Sequence, residues 1–380
     1  MRKIRPRPHA LPHLAMAIML FVLPQTGGAQ DFSSKHHDYR VSTIADGLEH
    51  PWSLVFLPNG DQLVTERAGR LRILRDGALV SKPVTGLPEL VSAGQGGLLD
   101  LVLHPDFTDN QLLVMSYAHE DDEGLMTTRA ARARYSDGQL EDVEVIFEAL
   151  PRSRTTRHFA GRMVFDRDKY LYVSVGDRGE MDRAQDTMDD AGGVHRITLD
   201  GSPAPGNPWL DDPNVNDTFY TYGNRNIQGM TVHPQTGVIW SHEHGPRGGD
   251  EINIIRAGTN YGWPEITYGI DYSGVPITDK THKPGMAQPL HYWDPSIAPS
   301  GMDFYYGSRF PGWQGDLFIG ALKSRMLVRM RINEEGKVLE EEDLLTDPGR
   351  RIRSVYQSPE GEIWLLTDER DGKVLKLTPR

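Results

Sequence analysis

The feature that most constrains the fold is a theme that recurs along the chain, in which an apolar strand-like run, a turn and a second apolar run follow one another. Helical periodicity is almost absent, and Gly, Pro, Asn and Asp separate the runs. Six copies align by eye: PWSLVFLPNGDQLVTER, LLDLVLHPDFTDNQLLVMSYA, GRMVFDRDKYLYVSVGDRG, GMTVHPQTGVIWSHEHG, GMDFYYGSRFPGWQGDLFIGAL and RIRSVYQSPEGEIWLLTDE. One such unit cannot bury both of its faces, whereas six units packed around an axis can. The repeat therefore predicts an all-β fold, a six-bladed β-propeller.

The copies begin at about residue 51 and continue to the C-terminus, so we expect a single propeller domain over residues 30–380. Their spacing widens between the third and fifth copies, where the polar, proline-rich stretches 202–217 and 265–290 intervene. Loops of this length are usually functional or disordered. We expect both stretches to lie over one face of the disc.

The first 29 residues have the pattern of a secretory signal peptide. Basic residues at positions 2, 3, 5 and 7 precede the apolar run LAMAIMLFVL, and Gly27 and Ala29 offer small residues for cleavage. The run is short for a membrane span, although an uncleaved anchor is the alternative. We therefore predict a signal peptide over 1–29 and a mature protein without a membrane span, in the periplasm or secreted.

Charge and composition exclude several classes of function. The formal net charge is -12, and a phosphate backbone favours a basic partner, so nucleic acid is not expected as a ligand. The chain contains no cysteine, which excludes disulfides, thiolate nucleophiles and cysteine-ligated metals.

Polar residues just ahead of each repeat are candidates for a shared site, because the innermost strand of each blade lines the channel of a propeller and the loop that enters it faces the ligand end. Four of the seven are cationic, in a protein that is acidic overall, which favours a small polyanionic ligand. The alternative is that each is a solvated loop residue or part of an ion pair between blades. The seven are Gln95, His158, Arg225, Asn226, Lys323, Arg351 and Arg353.

His158 and Asp177 lie at matching ends of one predicted hairpin. A carboxylate beside an imidazole fixes its tautomer and stabilises its protonated form, as a general base requires. The alternative is a structural histidine in a sheet. No serine or cysteine motif accompanies the pair, so acyl transfer is not indicated.

The segment 241–264 is the other dense stretch of polar residues. His242 and His244 would share a face of a strand, which is a weak metal signal that favours a structural role. Asp250 and Glu251 are adjacent, would point to opposite faces and are poor candidates for an acid/base couple. A bend at Gly245-Pro246 would expose carbonyl groups that suit a hard cation such as Ca²⁺.

The chain resembles the soluble quinoprotein sugar dehydrogenases of the glucose/sorbosone dehydrogenase type, and most of all their compact aldose dehydrogenase branch. The resemblance covers nearly all of residues 45–380, and its motifs occur in the family's order. They are HPWSLVFLPNGDQLVTER, GQGGLLDLVLHPDF, GRMVFDRDKYLYVSVGDRG, YGNRNIQGM, EHGPRGGDEINII, NYGWP and RIRSV.

This resemblance implies a six-bladed propeller that uses pyrroloquinoline quinone (PQQ), a tricarboxylate, together with Ca²⁺. His158 would be the base that removes the proton of the sugar's anomeric hydroxyl, oriented by Asp177, while hydride passes from C1 to the C5 carbonyl of the quinone. Carbonyl groups of Gly245 and Pro246 would bind the Ca²⁺ that polarises this carbonyl with Arg225. The residues implied to hold PQQ are Gln95, Arg225, Asn226, Lys323, Arg351 and Arg353.

The resemblance also implies a lactone product, an external electron acceptor and a monomer or homodimer. One departure is that the family usually has two glycines after its histidine, whereas Ala160 precedes Gly161 here. Two other functions stay open: a non-catalytic propeller that binds a ligand or a protein, and a Ca²⁺-dependent lactonase.

Overall fold

The structure is a computed structural model that describes residues 28–333, 335–347 and 349–380. The predicted signal peptide therefore lies, up to residue 27, outside the described residues. The first half of the chain forms β1 (Gln30–Ser33), β2 (Asp38–Leu48), β3 (Pro51–Phe56), β4 (Gln62–Glu66), β5 (Arg70–Arg75), β6 (Ala78–Leu79), β7 (Leu98–Leu103), α1 (Phe107–Asn110), β8 (Leu112–Glu120), β9 (Met126–Ser136), β10 (Gln139–Glu148), β11 (Met163–Phe165), β12 (Leu171–Val175), β13 (Gly193–Ile197) and β14 (Phe219–Tyr222).

The second half continues in the same way. Besides α1, the helical pieces of the described residues are short 3₁₀ turns, at Met181–Gln185 in the first half and at Pro311–Trp313 in the second. Its strands are β15 (Ile227–Val232), β16 (Ile239–Glu243), β17 (Asp250–Ile254), β18 (Thr259–Asn260), β19 (His291–Trp293), β20 (Pro299–Phe304), β21 (Leu317–Ala321), β22 (Met326–Ile332), β23 (Val338–Leu344), β24 (Ile352–Gln357), β25 (Ile363–Thr367) and β26 (Gly372–Pro379).

These strands form six sheets, so the predicted six-bladed propeller is confirmed. Blade one is β3–β6, blade two β7–β10, blade three β11–β14 with β18, blade four β15, β16, β17 and β19, and blade five β20–β23. The innermost strands β3, β7, β11, β15, β20 and β24 contact one another in that order, and β24 returns to β3. Each quoted copy of the repeat supplies the two inner strands of one blade.

Blade six is built from both ends of the described chain. Its sheet has the order β1-β2-β26-β25-β24, with β2 antiparallel to β26 from Tyr39 opposite Pro379 to Leu48 opposite Gly372. The repeat did not predict this arrangement, because residues 30–48 lie ahead of the first copy. Pairing of the two ends closes the ring.

The hydrophobic cores lie between neighbouring sheets. Between blades one and two, for example, Leu63 and Leu71 pack with Leu113 and Met115, and all four are buried. Each such side chain contributes about 1.5–3 kcal/mol through burial. The period-two pattern of the repeats follows from this packing, since one face of each strand meets one neighbouring blade.

A polar network fastens the innermost strands around the axis. Asp100 on β7 accepts hydrogen bonds from Ser53 Oγ on β3 (2.7 Å) and from the backbone N–H of Met163 on β11 (2.9 Å). The guanidinium of the buried Arg162 donates to the carbonyl of Gln228 (2.7 Å) and to Ser354 Oγ (2.8 Å). The network joins strands of five blades and gives the site above it a rigid floor.

One end of the ring, which we name the upper face, gathers two sets of loops. Neighbouring strands within each blade's inner part are antiparallel, so the loops before the innermost strands and the turns after the second strands lie at the same end. The two long stretches reach this face: Asn216 Nδ2 donates to Asp190 in the loop between β12 and β13, and Ile270 pairs with Arg247 in the turn after β16.

Candidate active site

A histidine–carboxylate pair lies on the upper face of blade three. His158, in the loop before β11, donates from Nδ1 to Oδ1 of Asp177, in the turn after β12, at 2.5 Å. The side chain of His158 keeps 12% of its exposure, whereas that of Asp177 keeps 1%. The structure thus brings together the two residues that the sequence paired. Nε2 of His158 has no hydrogen-bond partner within residues 28–333, 335–347 and 349–380, so it is the nitrogen available to take a proton.

Close backbone approach makes this pairing possible. A Cβ on Gly176 would lie 2.2 Å from the carbonyl oxygen of His158, so only glycine lets the histidine loop come this near to the end of β12. His158 and Ala160 both adopt positive φ, at 49° and 53°. This conformation costs a non-glycine residue free energy, so His158 and Ala160 are both strained members of the loop.

Two side chains hold the strained loop in place. Gln95 Oε1 accepts the backbone N–H of His158 at 2.8 Å. The buried guanidinium of Arg178 donates to the carbonyl groups of Thr155 (2.9 Å) and Arg157 and stacks 3.7 Å from the ring of Phe159. Arg178 follows Asp177 directly, so one turn supplies both the carboxylate and the clamp for the loop that carries the histidine.

Burial sets the charge state of the pair. Desolvation lowers the pKa of His158 below its usual 6.5, and this outweighs the opposing effect of Asp177. For Asp177, burial works against ionisation, but the hydrogen bond and charge of His158 and the charge of Arg225 together hold its pKa below the usual value. At neutral pH the pair is therefore a neutral imidazole beside a carboxylate, which is the resting state of a general base.

Arg225 lies beside this pair. Its Nη1 donates to the carbonyl groups of His244 and Gly245, each at 3.0 Å, and its backbone carbonyl accepts the N–H of Asp177 at 2.8 Å. The buried Nε of Arg225 has no hydrogen-bond partner among the described residues. A buried donor left unpaired is costly, so this nitrogen is a natural contact for an anionic or carbonyl ligand.

Arg351 and Arg353 meet at one carboxylate, that of Asp368 in the turn after β25. Arg353 Nη2 and Arg351 Nη2 donate to Asp368 Oδ2 at 2.8 and 3.1 Å, and His50 Nδ1 lies 2.8 Å from Oδ1. Burial opposes ionisation of Asp368, but Arg353 and His50 hold its pKa far below the usual value. Two guanidiniums against one carboxylate leave one positive charge, and Nε of Arg353 is buried and unpartnered among the described residues.

The comparison of the repeats placed Lys323 before an innermost strand, and this prediction is wrong. Lys323 lies in the turn between β21 and β22, which still belongs to the upper face, and its side chain is exposed. Arg351 Nη1 donates to the carbonyl of the neighbouring Leu322 at 3.1 Å, so Lys323 is next to the arginine pair. Asn226 is buried, and its Oδ1 lies 3.3 Å from Gln228 Nε2.

The turn after β16 is built around Gly245. A Cβ there would lie 2.3 Å from the carbonyl oxygens of Gly248 and Gly249, so the turn folds over a glycine and groups its carbonyl oxygens. The buried Asp250 fixes it by accepting the N–H of Gly245 (2.9 Å) and the hydroxyl of Ser296 (2.7 Å). The carbonyl of Gly245 accepts Arg225 but keeps a second lone pair, so these oxygens fit a hard cation.

The other candidates of this segment have structural surroundings. His242 is buried and His244 is half-buried, and His244 Nε2 donates to the carbonyl of Pro299 at 2.7 Å. Burial lowers the pKa of His244 to about 3, with contributions from the charges of Arg225, Arg353 and His158. Asp250 and Glu251 make no couple, but Glu251 lies opposite Glu243 on β16, and burial raises the pKa of Glu251 to about 8.

Three contributors to the site were not recognised in the sequence: Asp368, Arg178 and Trp263. A positional signal exists for the first, because an acidic residue ends or follows the second strand in five blades, Glu120 being the one of blade two. The other four are Glu66, Asp177, Glu243 and Asp368, and each accepts hydrogen bonds from side chains or backbone of the upper face. For Trp263 there is no such positional signal, because its contact with Asp177 joins residues that are 86 positions apart in the sequence.

The fold and the site define a class: a six-bladed propeller whose upper face carries a histidine–carboxylate pair, an arginine cluster and a carbonyl-rich turn. The family model described as Glucose / Sorbosone dehydrogenase matches residues 48–376. The chain therefore belongs to this family of sugar dehydrogenases, and the resemblance read from its motifs is confirmed.

Individual relatives agree over most of the chain. The chain is 42% identical to the aldose sugar dehydrogenase YliI of Escherichia coli over 90% of this chain and 93% of the relative. The structure of the soluble aldose sugar dehydrogenase of E. coli in its apo form has a TM-score of 0.87, covering 90% of this chain and all (100%) of that one. The PQQ-bound aldose sugar dehydrogenase of Streptomyces coelicolor has a TM-score of 0.74 at 27% identity, covering 94% and 99%.

Proposed function

We infer that the protein oxidises aldose sugars at C1 to lactones, with PQQ as its redox cofactor and His158 as the general base. The observation that carries this inference is the pair of His158 and Asp177 at 2.5 Å, partly open to solvent and surrounded by arginines. Family membership and the PQQ-bound relative support the choice of cofactor.

The residues of the upper face suit such a cofactor. PQQ carries three carboxylates, and the face offers Arg351, Arg353 and Lys323 as cations, together with buried Nε atoms on Arg225 and Arg353 that have no partner in the described part of the chain. Asn226 and Gln95 would complete the polar lining. Carbonyl oxygens of Gly245 and Pro246 would hold a Ca²⁺ beside it. When bound, PQQ supplies the acceptor for a hydride and its two electrons.

The chain's own part in the reaction is proton removal and orientation. Nε2 of His158 takes the proton of the anomeric hydroxyl, and Asp177 stabilises the imidazolium that forms. Asp177 also fixes the ring through Nδ1, so that Nε2 faces outward. Arg225, whose guanidinium is beside the pair, stabilises negative charge that develops on the ligand.

The cellular setting completes the proposal. Residues 1–29 would direct the chain to the periplasm or outside the cell, and an external acceptor would reoxidise the cofactor. No helix among the described residues is long and apolar enough to cross a membrane. The mature domain would be residues 30–380.

Reconstitution tests the function directly. Metal-free protein is given PQQ and Ca²⁺, alone and together, and dye reduction is followed with a panel of aldoses. We expect sugar-dependent reduction that requires both additions. Binding of PQQ without reduction by any aldose would contradict the proposed substrate, and failure to bind PQQ would favour the non-catalytic binding propeller.

The charge state of His158 predicts the acid limb of the pH profile. Because burial lowers its pKa below 6.5, the imidazole is already neutral at pH 7 and is protonated only as the pH falls further. We expect kcat/KM of the reconstituted enzyme to be level near neutrality and to fall below a midpoint under pH 6.5. Initial rates across the acid range measure this, and a midpoint above neutrality would contradict His158 as the titrating base.

A further inference from the structure

The carboxylate of Asp177 is held at both oxygens, and the second contact comes from a distant residue. Oδ1 accepts His158 Nδ1 and the backbone N–H of Gly179 (2.7 Å). Oδ2 accepts the indole Nε1–H of Trp263 at 2.8 Å, in a buried contact. The plane of the carboxylate is thereby fixed independently of the histidine.

Trp263 is itself fixed by the backbone. The backbone N–H of Trp263 donates to the carbonyl of Gly223 (2.9 Å), and the backbone carbonyl of Trp263 accepts a hydrogen bond from Gln185 Nε2 at 2.7 Å. It follows β18, which leaves blade four and pairs in parallel with β14 of blade three. The pairing of β18 with β14 therefore positions the indole of Trp263 beside the turn after β12.

The same indole faces the other functional group of the site. The guanidinium carbon of Arg225 lies 5.3 Å from the centre of the Trp263 ring, within the range of a cation–π contact. Trp263 is buried, at 6% exposure, so these contacts are made away from bulk water. The side chain of Trp263 thus contacts both Asp177 and Arg225.

We propose that Trp263 is a positioning residue for the proposed base: its N–H fixes Asp177 and, through Asp177, the ring of His158. The hydrogen bond also draws negative charge away from the oxygen that faces the imidazole, which limits how far Asp177 favours the imidazolium. This inference rests on the proposed function, in which His158 must be neutral and correctly turned before the sugar arrives.

Trp263→Phe tests it, because an aromatic ring remains while the N–H donor is lost; the loss of ring size is matched by the control variant below. In the protein without cofactor, ring-¹⁵N NMR of the histidines should show the pKa of His158 raised by about 0.5–1 unit, since Asp177 becomes the stronger partner. Both proteins contain the same charged and titratable groups that face His158, namely Asp177, Arg225, Arg178 and His244. In the reconstituted enzyme we expect kcat to fall about tenfold with KM unchanged, and the acid limb to move to higher pH.

Trp293→Phe is the matched control. Trp293 is also buried and donates from Nε1 to a carboxylate, Glu341 at 2.8 Å, but in blade four's outer strand. Trp293→Phe should leave the pKa of His158 and kcat as they are in the unmodified protein. An unchanged His158 pKa in Trp263→Phe, or an equal loss of kcat in both variants, would overturn the proposal. The titration needs no cofactor, so it separates this outcome from a failure of the proposed sugar oxidation.

Discussion

Replacing His158 by Ala should lower kcat of the protein loaded with PQQ and Ca²⁺ by about 10²–10⁴-fold, the usual contribution of a general base. The loss follows from the geometry, since Nε2 of His158 is the free nitrogen of the pair with Asp177. PQQ affinity should stay within about threefold, because the guanidiniums that would hold the cofactor are untouched. Steady-state kinetics with an aldose and titration with PQQ measure the two quantities separately.

Two further variants protect this test from a folding artefact. His158 has positive φ, which Asn tolerates better than Ala does, so His158→Asn should lose activity equally with its loop intact. His36 Nε2 lies 3.2 Å from Glu340, far along the chain in an exposed contact, and His36→Ala should keep full activity. Turnover of His158→Asn at the unmodified rate would remove His158 as the base.

The double replacement of Arg351 and Arg353 by Ala should weaken PQQ binding by at least about 100-fold. Each charge-assisted hydrogen bond to a carboxylate contributes about 1.5–3 kcal/mol, and the two guanidiniums meet at one point of the face. The variant also leaves Asp368 buried without its arginines, so repulsion adds to the loss. Calorimetric or fluorescence titration with PQQ in the presence of Ca²⁺ measures the affinity.

Asp368 allows the two causes to be separated. Adding Asp368→Asn to the double variant removes the negative charge that the two arginines no longer balance, and affinity should recover in part but remain below that of the unmodified protein. Arg350→Ala is the control, because Arg350 is the adjacent cation and pairs with Glu369 at 3.1 Å instead. Unaltered affinity in the double variant would contradict a carboxylate clamp at this place.

The inner part of each blade could be predicted from sequence, whereas the outer part could not. The two inner strands are buried and joined by a short turn, so their apolar pattern and turn residues repeat from copy to copy. The residues of the outer strands depend instead on which parts of the neighbouring strands they have to cover at the outer edge of each blade, and this differs from blade to blade. β2 lies before the first copy, and only the closing of the ring gives it β26 as a partner.

The same limit applies to the site. His158 and Asp177 were paired correctly because antiparallel strands bring the start of one beside the end of the next. Lys323 was assigned to the right face but to the wrong kind of loop, since a lysine after a second strand resembles one before a first strand. Trp263 depends on the parallel crossing of β18 to β14, and nothing local to its motif indicates that crossing.

The composition of blade six also has a consequence for how the protein is made. Its inner strands come from residues 352–379 and its outer strands from residues 30–48, so the ring closes only after the chain has been made as far as β26. Until then the edges of β2 and of the nascent blades are unpaired, which makes the partly made chain prone to aggregation. Once β26 has docked, β2 and β26 are paired in one sheet, which protects both strands from proteases that cleave frayed segments.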